Sequence, residues 1–109
     1  MNLLFICSGN KLRSPTAEKV FKDKGYSTLS AGTSGNAVRK VSIKDLKWSD
    51  AIFVMEEKHK QKLLAYFPRD TKYKQIFVLN IPDNYKLMEQ ALIDELTKKA
   101  APIIDDLVR

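Results

Sequence analysis

The sequence predicts an α/β fold: a single domain of three layers, with a four-stranded parallel sheet flanked by helices. Three observations predict it. Four short apolar runs alternate with longer segments of helical character. The first run, Leu3–Ile6, is apolar without interruption, as a central strand covered on both faces would be. The chain has 109 residues, enough for one core and not for two, so the domain is expected to span residues 1–109.

Taken in order, Leu3–Ile6 is the first strand and Cys7–Arg13 a loop. Ser14-Pro15-Thr16-Ala17-Glu18 reads as a helix start. Ser14 suits the N-cap, Pro15 the first helical position and Glu18 the first turn. Ala17, Val20 and Phe21 supply the inward stripe, and Gly25 ends the helix. Tyr26–Ala31 is the second strand and Gly32–Gly35 a turn of small residues. Ser42 caps a short helix to about Leu46, and Ala51–Met55 is the third strand. Glu56–Phe67 is helical and Pro68 stops it. Gln75–Leu79 is the fourth strand and Ile81–Tyr85 a loop. Leu87–Val108 is helical, with Pro102 expected to kink it or start a new segment. Ligand sites in such sheets lie beyond the carboxyl ends of the strands. The loops at Cys7, Gly32 and Asp83 should therefore converge.

Composition narrows the function. Apolar residues make up 44% and charged residues 29%, and Lys and Arg (19) exceed Asp and Glu (13), for a net charge of +6. The excess favours anionic partners. No apolar run reaches membrane-spanning length, and Met1–Cys7 lacks the basic flank and cleavage site of a signal peptide. One cysteine permits no internal disulfide, and one cysteine with one histidine cannot build a structural zinc site. A free thiol fits a reducing compartment, so the expected location is cytoplasmic.

The chemistry concentrates between Cys7 and Arg13. A tight loop between a strand and a helix can aim successive N–H groups at one anion, and the helix adds its positive end. Gly9 would allow backbone angles closed to other residues, and Asn10 can hold an unusual angle and brace the loop. The Arg13 fork can take two phosphate oxygens at once. The same field favours ionised sulfur at Cys7, and Ser14 is near enough to donate to it. Attack on phosphorus needs a proton for the leaving oxygen, and Asp83 in Pro82-Asp83-Asn84-Tyr85 is the candidate acid. His59 is an alternative acid on paper, but it lies among Glu56, Glu57, Lys58, Lys60 and Lys62, which reads as a solvated helix face and sets it aside.

These residues resemble a known family. Cys7-Ser8-Gly9-Asn10-Lys11-Leu12-Arg13-Ser14-Pro15-Thr16-Ala17-Glu18 resembles the signature loop of the low-molecular-weight protein tyrosine phosphatases. Ser30-Ala31-Gly32-Thr33, Asp50-Ala51-Ile52-Phe53-Val54-Met55 and Pro82-Asp83-Asn84-Tyr85 resemble its next segment, its third strand and its general-acid loop, in that order. The likeness is greatest to a short bacterial branch of predicted tyrosine phosphatases. The resemblance implies a phosphomonoester hydrolase with a cysteinyl-phosphate intermediate and no metal or cofactor. It implies Cys7 as nucleophile, Arg13 as clamp, Asp83 as acid and then base, Asn10 as brace and Ser14 as support for the thiolate. Ser8, Gly9, Asn10, Lys11, Leu12, Arg13 and Ser14 would surround a phosphate or sulfate ion, with Tyr85 the ring at the mouth. The partner would be a phosphorylated protein or a small phosphomonoester, not a membrane or nucleic acid.

Four departures bear on the substrate. Asn84 replaces the usual proline of the acid loop, Leu12 stands where many members carry a second cysteine, and Lys11 replaces a small or apolar residue. Gly35-Asn36 stands where tyrosine-specific members carry an aromatic wall, and Trp48 reads as a packing residue. The alternatives are an arsenate reductase served by an external thiol and a phosphoarginine phosphatase, which Lys11 would oppose by charge. A third is a phosphate- or phosphoprotein-binding module without turnover.

Overall fold

A computed structural model describes all 109 residues. Strand β1 (Asn2–Cys7) lies inside a sheet of order β2-β1-β3-β4, with β2 at Ser27–Gly32, β3 at Ala51–Val54 and β4 at Ile76–Val78. Every pairing is parallel, with Phe5 opposite both Ser30 and Phe53, and Phe53 opposite Phe77. The four-stranded parallel sheet agrees with the expected fold class. β1 carries no polar side chain from Leu3 to Ile6 because helices cover both of its faces.

One face packs under helices α1 (Arg13–Asp23) and α5 (Gln90–Leu107), through Leu3, Phe5, Phe21, Phe53, Leu92, Leu96 and Ile104. Phe5, Phe21, Phe53 and Phe77 form an offset stack with ring centroids 5.2–5.4 Å apart. The other face packs under α2 (Ile43–Trp48) and α3 (Glu57–Tyr66), through Leu4, Ile6, Leu46, Ile52, Val54 and Leu63. A short helix, α4 (Pro68–Thr71), follows α3. No helix is long and apolar enough to cross a membrane.

Several boundaries differ from expectation for identifiable reasons. α1 starts one residue before Ser14, which makes no cap; its hydroxyl is engaged with Cys7 instead. Glu18 accepts from Ser30 rather than serving the first turn. Pro68 opens α4, because a residue without an N–H suits a first helical position. α5 starts at Gln90 and runs through Pro102 without interruption. Pro102 and Lys98, whose carbonyl loses its helical donor, are both exposed residues, while Leu92, Leu96, Ala100 and Ile104 hold the buried stripe. The Ser42 cap forms as expected, as a capping box with Asp45.

Candidate active site

The chain leaves β1 at Cys7 and re-enters regular structure at Arg13. Between them, the N–H groups of Ser8, Gly9, Asn10, Lys11 and Leu12 donate to no backbone carbonyl. Asn10 holds the one left-handed angle in this loop, with φ of 54°. Gly9 does not have a positive φ, so the conformational demand falls on Asn10, a residue type that tolerates it. The glycine the loop needs is Gly32. A Cβ there would come within 2.4 Å of the Ser8 carbonyl oxygen and 2.7 Å of the Ala37 side chain. Its bare backbone lets the end of β2 press against the loop. Thr33 N–H then donates to Cys7 O and Ser34 N–H to Ser8 O, each at 3.0 Å.

A chain of side-chain hydrogen bonds ends on the sulfur. Ser30 donates to Glu18, and Asn10 Nδ2 donates to both Ser30 Oγ and Ser14 Oγ at 2.9 Å. Ser14 Oγ accepts from Asn10, and its one hydrogen has two acceptors in reach, Cys7 Sγ at 3.0 Å and Ala31 O at 3.4 Å; the nearer sulfur, once ionised, can only accept. Cys7, Asn10, Ser14 and Ser30 are all buried.

Arg13 is 2% exposed, unusually buried for a guanidinium. Two groups hold it. Nη1 donates to Glu56 Oε2 at 2.5 Å and to Ile81 O at 2.8 Å. Both Nη1 hydrogens are thereby used, and the Nε–Nη2 edge is left as the free fork. Asp83 stands at that edge, with Oδ1 3.7 Å from Nε and an exposed side chain. The hydrogen bond from Arg13 holds the Glu56 carboxyl below its ordinary value, against the opposing effect of burial.

His59 is not on a solvated face. It is fully buried, and its Nε2 lies 2.8 Å from Ser8 Oγ. Its Nδ1 accepts from the Glu56 N–H at 3.0 Å, which puts the ring proton on Nε2 and makes Nε2 the donor to Ser8. Burial, and then the neighbouring Arg13 charge, lower its pKa to about 4. Glu56 is the N-cap of α3 and His59 lies in its first turn, so the β3–α3 connection joins the other three loops at the site.

A cavity of about 250 Å³ is lined by Cys7, Ser8, Gly9, Lys11, Leu12, Arg13 and Asp83. Of the residues expected around it, Asn10 and Ser14 support the loop from behind. Tyr85 does not line the cavity; it packs half-buried against the α1/α5 core. Sequence reasoning missed Glu56, His59, Glu18 and Ser30. The charge run around His59 hid it, because helical spacing alone does not say which face a lone histidine takes. Met55, followed by a carboxylate and by a histidine at the next turn, was the available signal.

No protein-family model and no curated protein matches the sequence. Solved structures do match in fold. A low-molecular-weight phosphotyrosine phosphatase from Vibrio cholerae superposes with a TM-score of 0.81 at 23% identity, covering 100% of this chain and 97% of that one. The tyrosine phosphatase Wzb of Escherichia coli K30, solved in complex with phosphate, gives 0.79 at 19% identity and 97% coverage of each chain. The YwlE arginine phosphatase of Geobacillus stearothermophilus gives 0.75 at 22% identity, covering 97% of this chain and 92% of that one. The sheet order, the loop after β1 and these superpositions agree: this chain has the fold of the low-molecular-weight protein tyrosine phosphatases.

Proposed function

We propose that this chain is a phosphomonoester hydrolase, in the first instance a protein tyrosine phosphatase, acting through a phosphocysteine at Cys7. The observation that carries the reading is the pairing of Cys7 Sγ with Ser14 Oγ at 3.0 Å in a loop closed by the buried Arg13. The unpaired N–H groups of residues 8–12 and the Nε–Nη2 edge of Arg13 receive the phosphoryl oxygens. The Cys7 thiolate attacks phosphorus and the bond to the ester oxygen breaks. Asp83 gives that oxygen its proton. In the second step Asp83 takes a proton from water, the water oxygen attacks phosphorus and the sulfur–phosphorus bond breaks. Inorganic phosphate leaves and the thiolate is restored. Ser14 steadies the sulfur as nucleophile and as leaving group, and no step calls on a metal or cofactor.

A second reading, phosphoarginine hydrolysis, is favoured by the fold shared with a protein named an arginine phosphatase. The exposed Lys11 at the cavity rim disfavours it, since a cationic guanidino group would meet a like charge there. The reducing location is retained as a proposal, on the strength of the single free thiol. The test is phosphate release from a small aryl phosphate, a phosphotyrosyl peptide and a phosphoarginyl peptide, each with wild type and Cys7→Ser. The expected order is tyrosyl above arginyl, with no turnover by Cys7→Ser. Turnover by Cys7→Ser equal to wild type sinks the proposal.

A further inference from the structure

Beside the phosphate loop lies a second cavity, of about 330 Å³, which the proposed reaction does not use. It opens between the connection after β2 and helix α3. Thr33, Ser34, Lys40, Lys62, Tyr66 and Phe67 line it, over a floor of Val41 and Leu63 from the core.

Two features suit an acidic side chain. No carboxylate lines the cavity, and neither Lys40 nor Lys62 forms an ion pair. The floor is apolar, so the cavity suits a side chain with a hydrocarbon stem and a charged head.

Both walls are also fastened to the phosphate loop. Ser34 N–H donates to Ser8 O and Val38 N–H to Gly9 O, each at 3.0 Å. On α3, Lys62 and Leu63 follow His59 by three and four residues, so they share its side of the helix one turn on. His59 in turn touches Ser8 at 2.8 Å. The cavity is therefore a direct neighbour of the loop.

We propose that this cavity is a specificity subsite for an acidic side chain, a glutamate or aspartate flanking the phosphorylated residue of a protein substrate. The proposal deepens the phosphatase reading and rests on it. A lysine at the same substrate position would meet Lys40 and Lys62 and be rejected.

The test uses three phosphotyrosyl peptides that differ only in carrying glutamate, glutamine or lysine at flanking positions, with a small aryl phosphate as control. Wild type should prefer the glutamate over the lysine peptide in kcat/KM by about tenfold at low salt, the worth of two partly solvated ion pairs. Salt should shrink the preference. Lys40→Ala/Lys62→Ala should reduce it to about twofold and leave aryl phosphate turnover unchanged. A preference that survives the double variant, or that wild type never shows, overturns the subsite. If wild type fails to hydrolyse the aryl phosphate, the phosphatase reading is what fails. The subsite is then read from calorimetric Kd values for the glutamate and lysine peptides, and equal values overturn it.

Discussion

Lowering the pH should destabilise this protein through one buried imidazole. His59 is fully buried, accepts from the Glu56 backbone and donates to Ser8, an arrangement available only to the neutral ring. Its pKa falls from 6.5 to about 4 in the folded chain. Between those values the unfolded chain binds a proton that the folded chain does not, so stability rises with pH across that window and is lost as pH falls through it. Integrated from neutral pH down to about pH 4.5, one such group removes about 2 kcal/mol. The depressed carboxyl of Glu56 acts in the same direction at the acid end of this range. The assay is urea unfolding at a series of pH values for wild type and His59→Gln. Glutamine can accept from Glu56 and donate to Ser8 but does not titrate. The wild-type slope between about pH 4.5 and 6.5 should exceed that of the variant by most of one proton's worth. Parallel slopes would refute the burial and the tautomer assigned to His59.

Three further outcomes follow from the site. Arg13→Lys should lower kcat/KM by about 10³-fold or more, since an ammonium cannot keep both the Glu56 and Ile81 contacts and a free two-pronged edge; a variant retaining most of its activity would remove Arg13 from the clamp. Asp83→Asn should slow hydrolysis by about 10²–10⁴-fold for poor leaving groups and far less for good ones. An equal loss for both would make Asp83 a shaping residue. Peroxide alone should inactivate the enzyme irreversibly, because Leu12 and not a second thiol shares the cavity with Cys7, while glutathione during exposure should protect it. Full recovery with dithiothreitol after peroxide alone, read with intact mass, would contradict this.

The residues differ in how openly their patterns declared their roles. β1 was legible because Leu3–Ile6 has no polar residue and stops at a cysteine–glycine loop. The loop itself was legible because its residue types have few other reasons to sit together. Gly32 was placed at a strand end, but its closeness to Ser8 depends on a long-range approach that no local pattern encodes. Gly9 shows the converse: local reasoning gave it the special backbone angle, and Asn10 carries it. Glu56 and His59 were hidden for a related reason. Their partners, Arg13 and Ser8, are 43 and 51 residues away. Only the β1–β3 pairing brings the two turns together. Pro102 does not start a new segment because tertiary packing along α5 outweighs the loss of one helical hydrogen bond.

The central claim is that phosphate passes through Cys7, and trapping the intermediate tests it most directly. The enzyme is mixed with an aryl phosphate, quenched in acid within the first turnovers and examined by intact mass and peptide mapping. The expected result is a single phosphoryl group on the peptide containing Cys7, lost on longer incubation and absent from Cys7→Ser. Steady hydrolysis with no phosphoryl group on Cys7, or a phosphoryl group on any other residue, would contradict the account.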